Sequence, residues 1–483
     1  MAAHGPAAPL LEAAPPRPAG ASGHGGGRPG KLRERVRALG HHSELVLSYL
    51  DQILQSALSL GIAMLFIQRA TKAEFGLFTL VNGLVALTVG VQGALILAPL
   101  VAIASRLRGK ERAELVACVD RLQLGLALGS AAVLALGVVV HARLAGHVTR
   151  DDVLLAFGAG LAVVGTWTRE FQRSCAFLDG KADQALAGDA LYVALVGIGL
   201  ALQLRMTGAL VASVAFALIG GAALVPGMGS WLHRLGACRA ARRAEGAGPE
   251  AAAPHLRLLL RQGQWTLPGM GIAWVQNTGY AYAVAAMAGN AAVADLAAAR
   301  LFIMPAKLLM TAWQRVFMPR LGAQLRIWSG GATPAASEAE VACDADSATL
   351  LLERSHEGTR RVVAWAVLYV VLLGVFFGLG GKRLLPAKYG GLGTLVLAWC
   401  GFLLANAVRT VPSAALLVAG AFRSVFFYSL GACIVSLPLT VLLLAIFGGG
   451  GAIHGLTGSE FMLALFSWHV LRGRRGATEP KGS

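Results

Sequence analysis

Residues 300–320 read Arg-Leu-Phe-Ile-Met-Pro-Ala-Lys-Leu-Leu-Met-Thr-Ala-Trp-Gln-Arg-Val-Phe-Met-Pro-Arg. The stretch is apolar enough to sit in a bilayer, yet it carries Arg300, Lys307 and Arg315 within one span. At roughly 100° per residue, these three and Thr311 fall within an arc of about 80° on one helix face. The other faces carry Leu301, Phe302, Ile303, Leu308, Leu309 and Phe317. A cation in hydrocarbon is costly, so such residues face a bundle interior or a wet cavity, or reach back to an interface. Both readings stand for Arg300 and Arg315, at the ends of the stretch. Lys307 is too deep to snorkel and reads as facing an interior. Pro305 removes one backbone hydrogen bond, so a kink is expected beside Lys307.

The same pattern extends along the chain. Of 483 residues, 56% are hydrophobic and only 14% charged, and the mean hydropathy is +0.63. A soluble domain carries nearly twice that charge. Apolar runs of bilayer length recur, and alternating strand-like segments are absent, so the chain reads as an all-α integral membrane protein. Twelve spans are expected, near 45–68, 76–104, 118–140, 153–173, 187–206, 209–231, 265–288, 297–319, 361–380, 391–418, 425–447 and 451–471. The net charge of +17 fits basic cytoplasmic loops better than nucleic-acid binding. With the N-terminus inside, only Arg69, Lys72, Arg143, Arg150, Arg205, Lys382, Arg383 and Lys388 fall in outside loops, out of 42 Lys and Arg. Both termini are therefore expected in the cytoplasm.

The domain organisation follows from composition. Residues 1–40, rich in Ala, Pro and Gly and then basic, read as a disordered cytoplasmic tail rather than a signal peptide. Residues 41–231 hold six spans and 265–471 six more, with a basic cytoplasmic linker at 232–264 between them. The polar segment 321–360 reads as a cytoplasmic insertion that lacks a core, and 472–483 as a second tail. Cys118, Cys175, Cys238, Cys343, Cys400 and Cys433 have no metal or redox spacing and none falls in an outside loop, so neither a metal site nor a disulfide is expected. No nucleotide-binding loop, zinc-protease motif or nucleophile elbow in context occurs, so neither an enzyme nor a cofactor is expected.

Other spans carry isolated polar groups. Asp51, Gln55 and Ser59 share one face of span one, as a helix–helix seam or a lumen face. Arg169 and Glu170 close span four, where an interfacial salt bridge is expected. Asp189 opens span five, where it can cap the helix or carry a proton. Gln276, Asn277 and Tyr280 in span seven suit sugar hydroxyls, or are packing polars. Arg409 lies mid-span with Asn406 and Ser413 on one arc and joins the cationic set. Glu460 in span twelve can carry a proton, or pair with Arg409.

Gln52-Ile-Leu-Gln55 followed by Phe66-Ile-Gln-Arg-Ala-Thr-Lys-Ala-Glu-Phe-Gly-Leu-Phe-Thr79 resembles the opening of polysaccharide-unit (O-antigen type) flippases. These belong to the multidrug/oligosaccharidyl-lipid/polysaccharide exporter superfamily. Arg69, Glu74, Phe75 and Gly76 match the step between the first two spans. Weaker echoes are Ala299-Arg300 with Pro305, Met318-Pro319-Arg320, Lys388-Tyr389-Gly390 and Ala419-Gly420-Ala421-Phe422-Arg423. The ordered combination carries the resemblance, and the long tail and the acidic insertion depart from it.

The resemblance implies two six-helix bundles around a central cavity. It also implies a multi-pass bacterial inner-membrane protein that translocates polyprenyl-pyrophosphate-linked oligosaccharides for surface polysaccharide synthesis. Arg300, Lys307, Arg315 and Arg409 would then hold the anionic headgroup, and Gln276, Asn277 and Tyr280 the sugar. Glu460 or Asp189 would couple to an ion gradient. Partners would be the lipid-linked substrate and membrane lipids, with room for a polysaccharide polymerase or glycosyltransferases, and no nucleic acid. Two other readings stand beside it: an ion-coupled cation or drug antiporter of the same superfamily, which calls for acids in excess of bases, and a non-transporting scaffold of a glycan-assembly complex.

Overall fold

The computed structural model describes residues 29–107, 109–144, 146–245, 253–328, 345–380, 386–419 and 421–476. Among these there is no strand. The α-helices are α1 (Pro29–Arg69), α2 (Lys72–Gln92), α3 (Ala98–Ala104), α4 (Gly109–Leu144), α5 (Arg150–Leu178), α6 (Ala182–Thr207) and α7 (Ala212–Glu245). They continue with α8 (Ala253–Trp274), α9 (Tyr280–Leu301), α10 (Met304–Trp328), α11 (Ala345–Gly378), α12 (Leu392–Val418), α13 (Phe422–Phe447) and α14 (Gly449–Gly476). Single π-helical turns at Gly93–Leu97 and Val275–Gly279 join α2 to α3 and α8 to α9.

Nine helical stretches among the described residues are long and apolar enough to cross a membrane. Three further expected spans fall short for evident reasons. The described apolar part of α7 is only Ala212–Met228, α10 holds Lys307, and α14 is diluted by Gly449, Gly450, Gly451, His454 and Glu460. The 48-residue stretch Pro254–Leu301 is broken by a kink at Gly289, whose φ of 80° and ψ of 171° no helix accommodates. It therefore joins the seventh expected span to the start of the eighth.

Helices reach into segments that composition assigns to tails and loops. Helix α1 starts at Pro29, because residues 31–37 are mostly good helix formers leading into a span. Only 246–252 separate α7 from α8, and 329–344 separate α10 from α11; these residues, with 1–28 and 477–483, lie outside the described ones. Residues 345–360 form the first turns of α11, where Leu351 and Leu352 pack in a buried cluster with Leu321, Leu416 and Leu471. Averaging over 321–360 hides that short apolar run behind the acidic segment.

The chain divides into two compact units. The first takes α1 through Leu65, α2 from Val81, α3 to α7, and α8 through Pro268. Its central contact is α5 against α7. The two backbones touch at Gly165 and Gly220; a Cβ on Gly165 would stand 2.2 Å from the Gly220 carbonyl oxygen. Small residues at helix seams allow such an approach, which supplies van der Waals contact where no hydrophobic effect operates between lipid-bathed helices.

The second unit takes Phe66–Leu80 and Gly269–Ser483. Helix α12 is its hub, touching α9, α10, α11, α13 and α14. The α1–α2 turn is fastened to this unit. Lys72 pairs with Asp295 at 2.6 Å, Lys388 donates to the Ala70 carbonyl, and both lysines stand over the buried Tyr389 ring. Gly76 lies against the Asn290 carbonyl, where a Cβ would overlap it. Two of the short motifs that carry the resemblance, around Glu74-Phe75-Gly76 and Lys388-Tyr389-Gly390, thus meet in one cluster.

Candidate functional site

In the second unit, Trp399, Phe402, Asn406, Arg409 and Ser413 recur at steps of three and four, so they form one stripe along α12. Opposite the stripe the chain is broken. After Arg300 the bonding shortens, with Phe302 donating to Ala299 and Ile303 to Arg300. Pro305 then lacks an N–H to continue the ladder, and regular spacing resumes when Lys307 donates to Ile303. The expected kink is therefore present, between α9 and α10.

Arg300 donates through Nη1 to the Asn277 carbonyl and the Tyr280 hydroxyl, each at 3.3 Å. Its guanidinium lies 5.5 Å from the centre of the Trp399 ring, and its buried Nε has no hydrogen-bond partner. The Lys307 ammonium lies 5.0 Å above the Phe402 ring. Among the described residues, neither Arg300 nor Lys307 has a carboxylate within ion-pair distance. Arg409 does: its Nε is 2.5 Å from Glu460 Oε2, although the N–H is not aligned for a hydrogen bond. Asn406 donates to the same Glu460 oxygen at 2.9 Å. The charges acting on Lys307 are Arg300, Arg409 and Glu460. The site thus sets three cations against one carboxylate in an apolar helical unit.

Of the residues expected to act together, the structure gathers Arg300, Lys307, Arg409 and Glu460. The Arg315 side chain lies outside the described residues. Leu308 and Leu309, on another face of α10, are exposed as lipid-facing residues should be. The expected sugar-binding trio is partly occupied with packing. Gln276 donates to the Ser429 carbonyl at 2.9 Å, and the Asn277 amide bonds back to Ala273. Tyr280 accepts from Arg300. Sequence reasoning missed Trp399 and Phe402. The signal was available, since both continue the arc of Asn406, Arg409 and Ser413 by the same three-four spacing.

The first unit holds a second ionic cluster. Arg173 pairs with Asp51 at 2.8 Å and with Glu170 at 3.1 Å. Arg169 pairs with Glu170 at 2.9 Å and approaches Asp189 at 3.5 Å. Gln55 donates to Asp189 at 2.7 Å, and Arg169 stacks over Tyr192 at 4.1 Å. Two expectations change here. Asp189 does not cap a helix, because α6 begins seven residues earlier at Ala182, and its side chain is only 2% exposed. The Arg169–Glu170 pair exists but is buried inside the unit, with side chains 10% and 13% exposed. Charges scattered over α1, α5 and α6 satisfy each other there, since none can be left unpaired in an apolar interior. Three carboxylates face two arginines.

No family model matches the chain, and neither does any curated protein. Solved structures do match in fold. One is a multidrug resistance MATE family transporter of the MOP superfamily in an inward-facing conformation, with a TM-score of 0.65 and 14% identity over 91% of this chain and 100% of that one. Another is the lipid II flippase MurJ in an inward closed conformation, with a TM-score of 0.62 and 12% identity over 89% and 87%. A third is a MATE protein in a straight conformation, at 0.54 and 15% over 90% and 95%. The chain therefore shares its fold with these transporter structures. Identity this low transfers no residue roles.

Proposed function

We propose that this protein is a flippase that moves polyprenyl-pyrophosphate-linked oligosaccharides across a bacterial inner membrane, with both termini cytoplasmic. The observation that supports it is the cation excess of the second unit. Among the described residues, Arg300 and Lys307 have no carboxylate partner, in a region where an uncompensated charge costs several kcal/mol. Charges of that kind mark functional sites, and a diphosphate headgroup is the anion that two such cations suit. Arg315, about two turns beyond Lys307 along α10, joins them in this reading. Tyr280 and the neighbouring Gln276 and Asn277 offer hydrogen bonds to the first sugar by exchanging those they now make. The lipid tail stays in the bilayer, and the substrate would come from glycosyltransferases and pass to a polymerase.

Coupling falls to Asp189. Its cluster has one carboxylate more than it has arginines, and a proton or cation on that cluster removes the surplus charge. Glu460, already paired with Arg409, is the second candidate. The acid excess of that cluster also favours the alternative reading, a cation or drug antiporter, which needs such acids. Reconstituted proteoliposomes separate the two. The flippase reading expects translocation of a fluorescent prenyl-diphosphate sugar and no gradient-driven ethidium transport. Ethidium transport without lipid translocation would replace it with the antiporter.

A further inference from the structure

The free state of the two cations has a structural cause. Each cation stands over an aromatic ring rather than against a carboxylate of the described residues, Arg300 over Trp399 and Lys307 over Phe402. Both rings are buried, at 1% and 4% exposure. Trp399 is locked in place by donating Nε1–H to the Leu296 carbonyl at 3.1 Å. Tyr280 packs edge-on to it at 5.9 Å and Phe402 edge-on at 5.2 Å. The result is a rigid aromatic shelf with Arg300 over one ring and Lys307 over the next. Glu460 Oε2 is engaged instead by Arg409 at 2.5 Å and by Asn406 at 2.9 Å.

A ring face attracts a cation through its quadrupole without neutralising it. A carboxylate in the same place would attract more strongly and would cancel the charge. An aromatic support therefore keeps a buried cation in position and leaves its full charge for a ligand, whereas an acid would compete with that ligand. Resting on the flippase reading, we infer that Trp399 and Phe402 are positioning residues that hold Arg300 and Lys307 in an uncompensated state for the diphosphate of the substrate. Trp399 orders Arg300 together with Tyr280, and Phe402 orders Lys307 beside the kink. The inference makes substrate affinity depend on aromatic rings that carry no charge and need not touch the phosphate.

The test uses the full chain in nanodiscs and farnesyl diphosphate as the probe, with farnesol as the uncharged control. Phe402→Leu keeps an apolar side chain but removes the ring. It is expected to weaken farnesyl diphosphate binding about tenfold, the loss of one desolvated cation–π contact, and to leave farnesol binding unchanged. Phe402→Tyr restores the ring and is expected to bind within about twofold of the wild type. Trp399→Leu and Trp399→Phe should repeat the pattern through Arg300. Thermal unfolding of each variant identifies any that fail to fold, in which case the pair at the other position decides. Rescue by the aromatic variants is the outcome that a general packing role would not give. Equal binding by the Leu and aromatic variants, with Lys307→Gln still losing affinity, would overturn the shelf and leave the anion site standing. Wild-type protein that binds farnesol and farnesyl diphosphate alike would overturn the anion site and the shelf together.

Discussion

Changing Glu460 to Gln should move stability and anion affinity in opposite directions. Glu460 Oε2 lies 2.5 Å from Arg409 Nε, with side chains 11% and 29% exposed, and also accepts from Asn406. Removing one member of a buried ion pair costs about 3–5 kcal/mol, because the other charge is left stranded. Two features reduce that here: Arg409 is partly exposed, and a Gln oxygen can keep the Asn406 bond. The expected loss for Glu460→Gln is about 2 kcal/mol. Adding Arg409→Gln removes the stranded charge, so the double variant should recover to within about 1 kcal/mol of the wild type. Meanwhile Glu460→Gln releases a third cation into the site and should tighten farnesyl diphosphate binding several-fold. Equilibrium unfolding in mixed micelles gives the stability cycle, and the nanodisc assay gives the affinity. Additive losses in the cycle, within about 0.5 kcal/mol, would show that the pair is not an energetic unit. Weakened binding by Glu460→Gln would refute the charge argument.

Asp189→Asn should abolish the dependence of transport on a proton or ion gradient while leaving substrate binding intact; unchanged coupling in a folded variant would exclude Asp189. Gly165→Val drives side-chain atoms into the Gly220 carbonyl and should cost roughly 3 kcal/mol or block folding, read by thermal unfolding, against little change for Gly197→Ala, which has open space around it. Asp295→Asn removes the carboxylate paired with Lys72 and leaves its contact with the Tyr389 ring; it should lower stability by about 1 kcal/mol, with Lys72→Met/Asp295→Asn no worse than the single change, again by unfolding.

Much of this was legible in the sequence, for identifiable reasons. Span length and hydropathy are set by the bilayer, so the helices could be placed from composition. Pro305 announced the kink because it cannot donate, and Arg300, Lys307 and Arg409 stood out because cations in apolar runs are costly. The partners were not legible. Asp189 looked like a helix cap because the polar start of α6, from Ala182 to Gly188, hides the helix boundary. Glu460 had two plausible roles until its distance to Arg409 was known. Trp399 and Phe402 were not singled out, because in a membrane protein apolar residues occur on every face and periodicity alone does not distinguish shelf from surface. Leu351 and Leu352 were lost for a different reason, as a short apolar run beside the acidic segment that holds Glu338, Glu340, Asp344 and Asp346.

The flippase account rests on uncompensated cations in the second unit, and one measurement addresses it directly. Proteoliposomes containing the Arg300→Gln/Lys307→Gln double variant, at the same abundance and unfolding temperature as the wild type, are assayed for translocation of a fluorescent prenyl-diphosphate sugar. The expected result is a fall of roughly a hundredfold, from the loss of two charge-assisted contacts, recovered in part by restoring Lys307 alone. Wild-type translocation by the double variant would contradict the central claim.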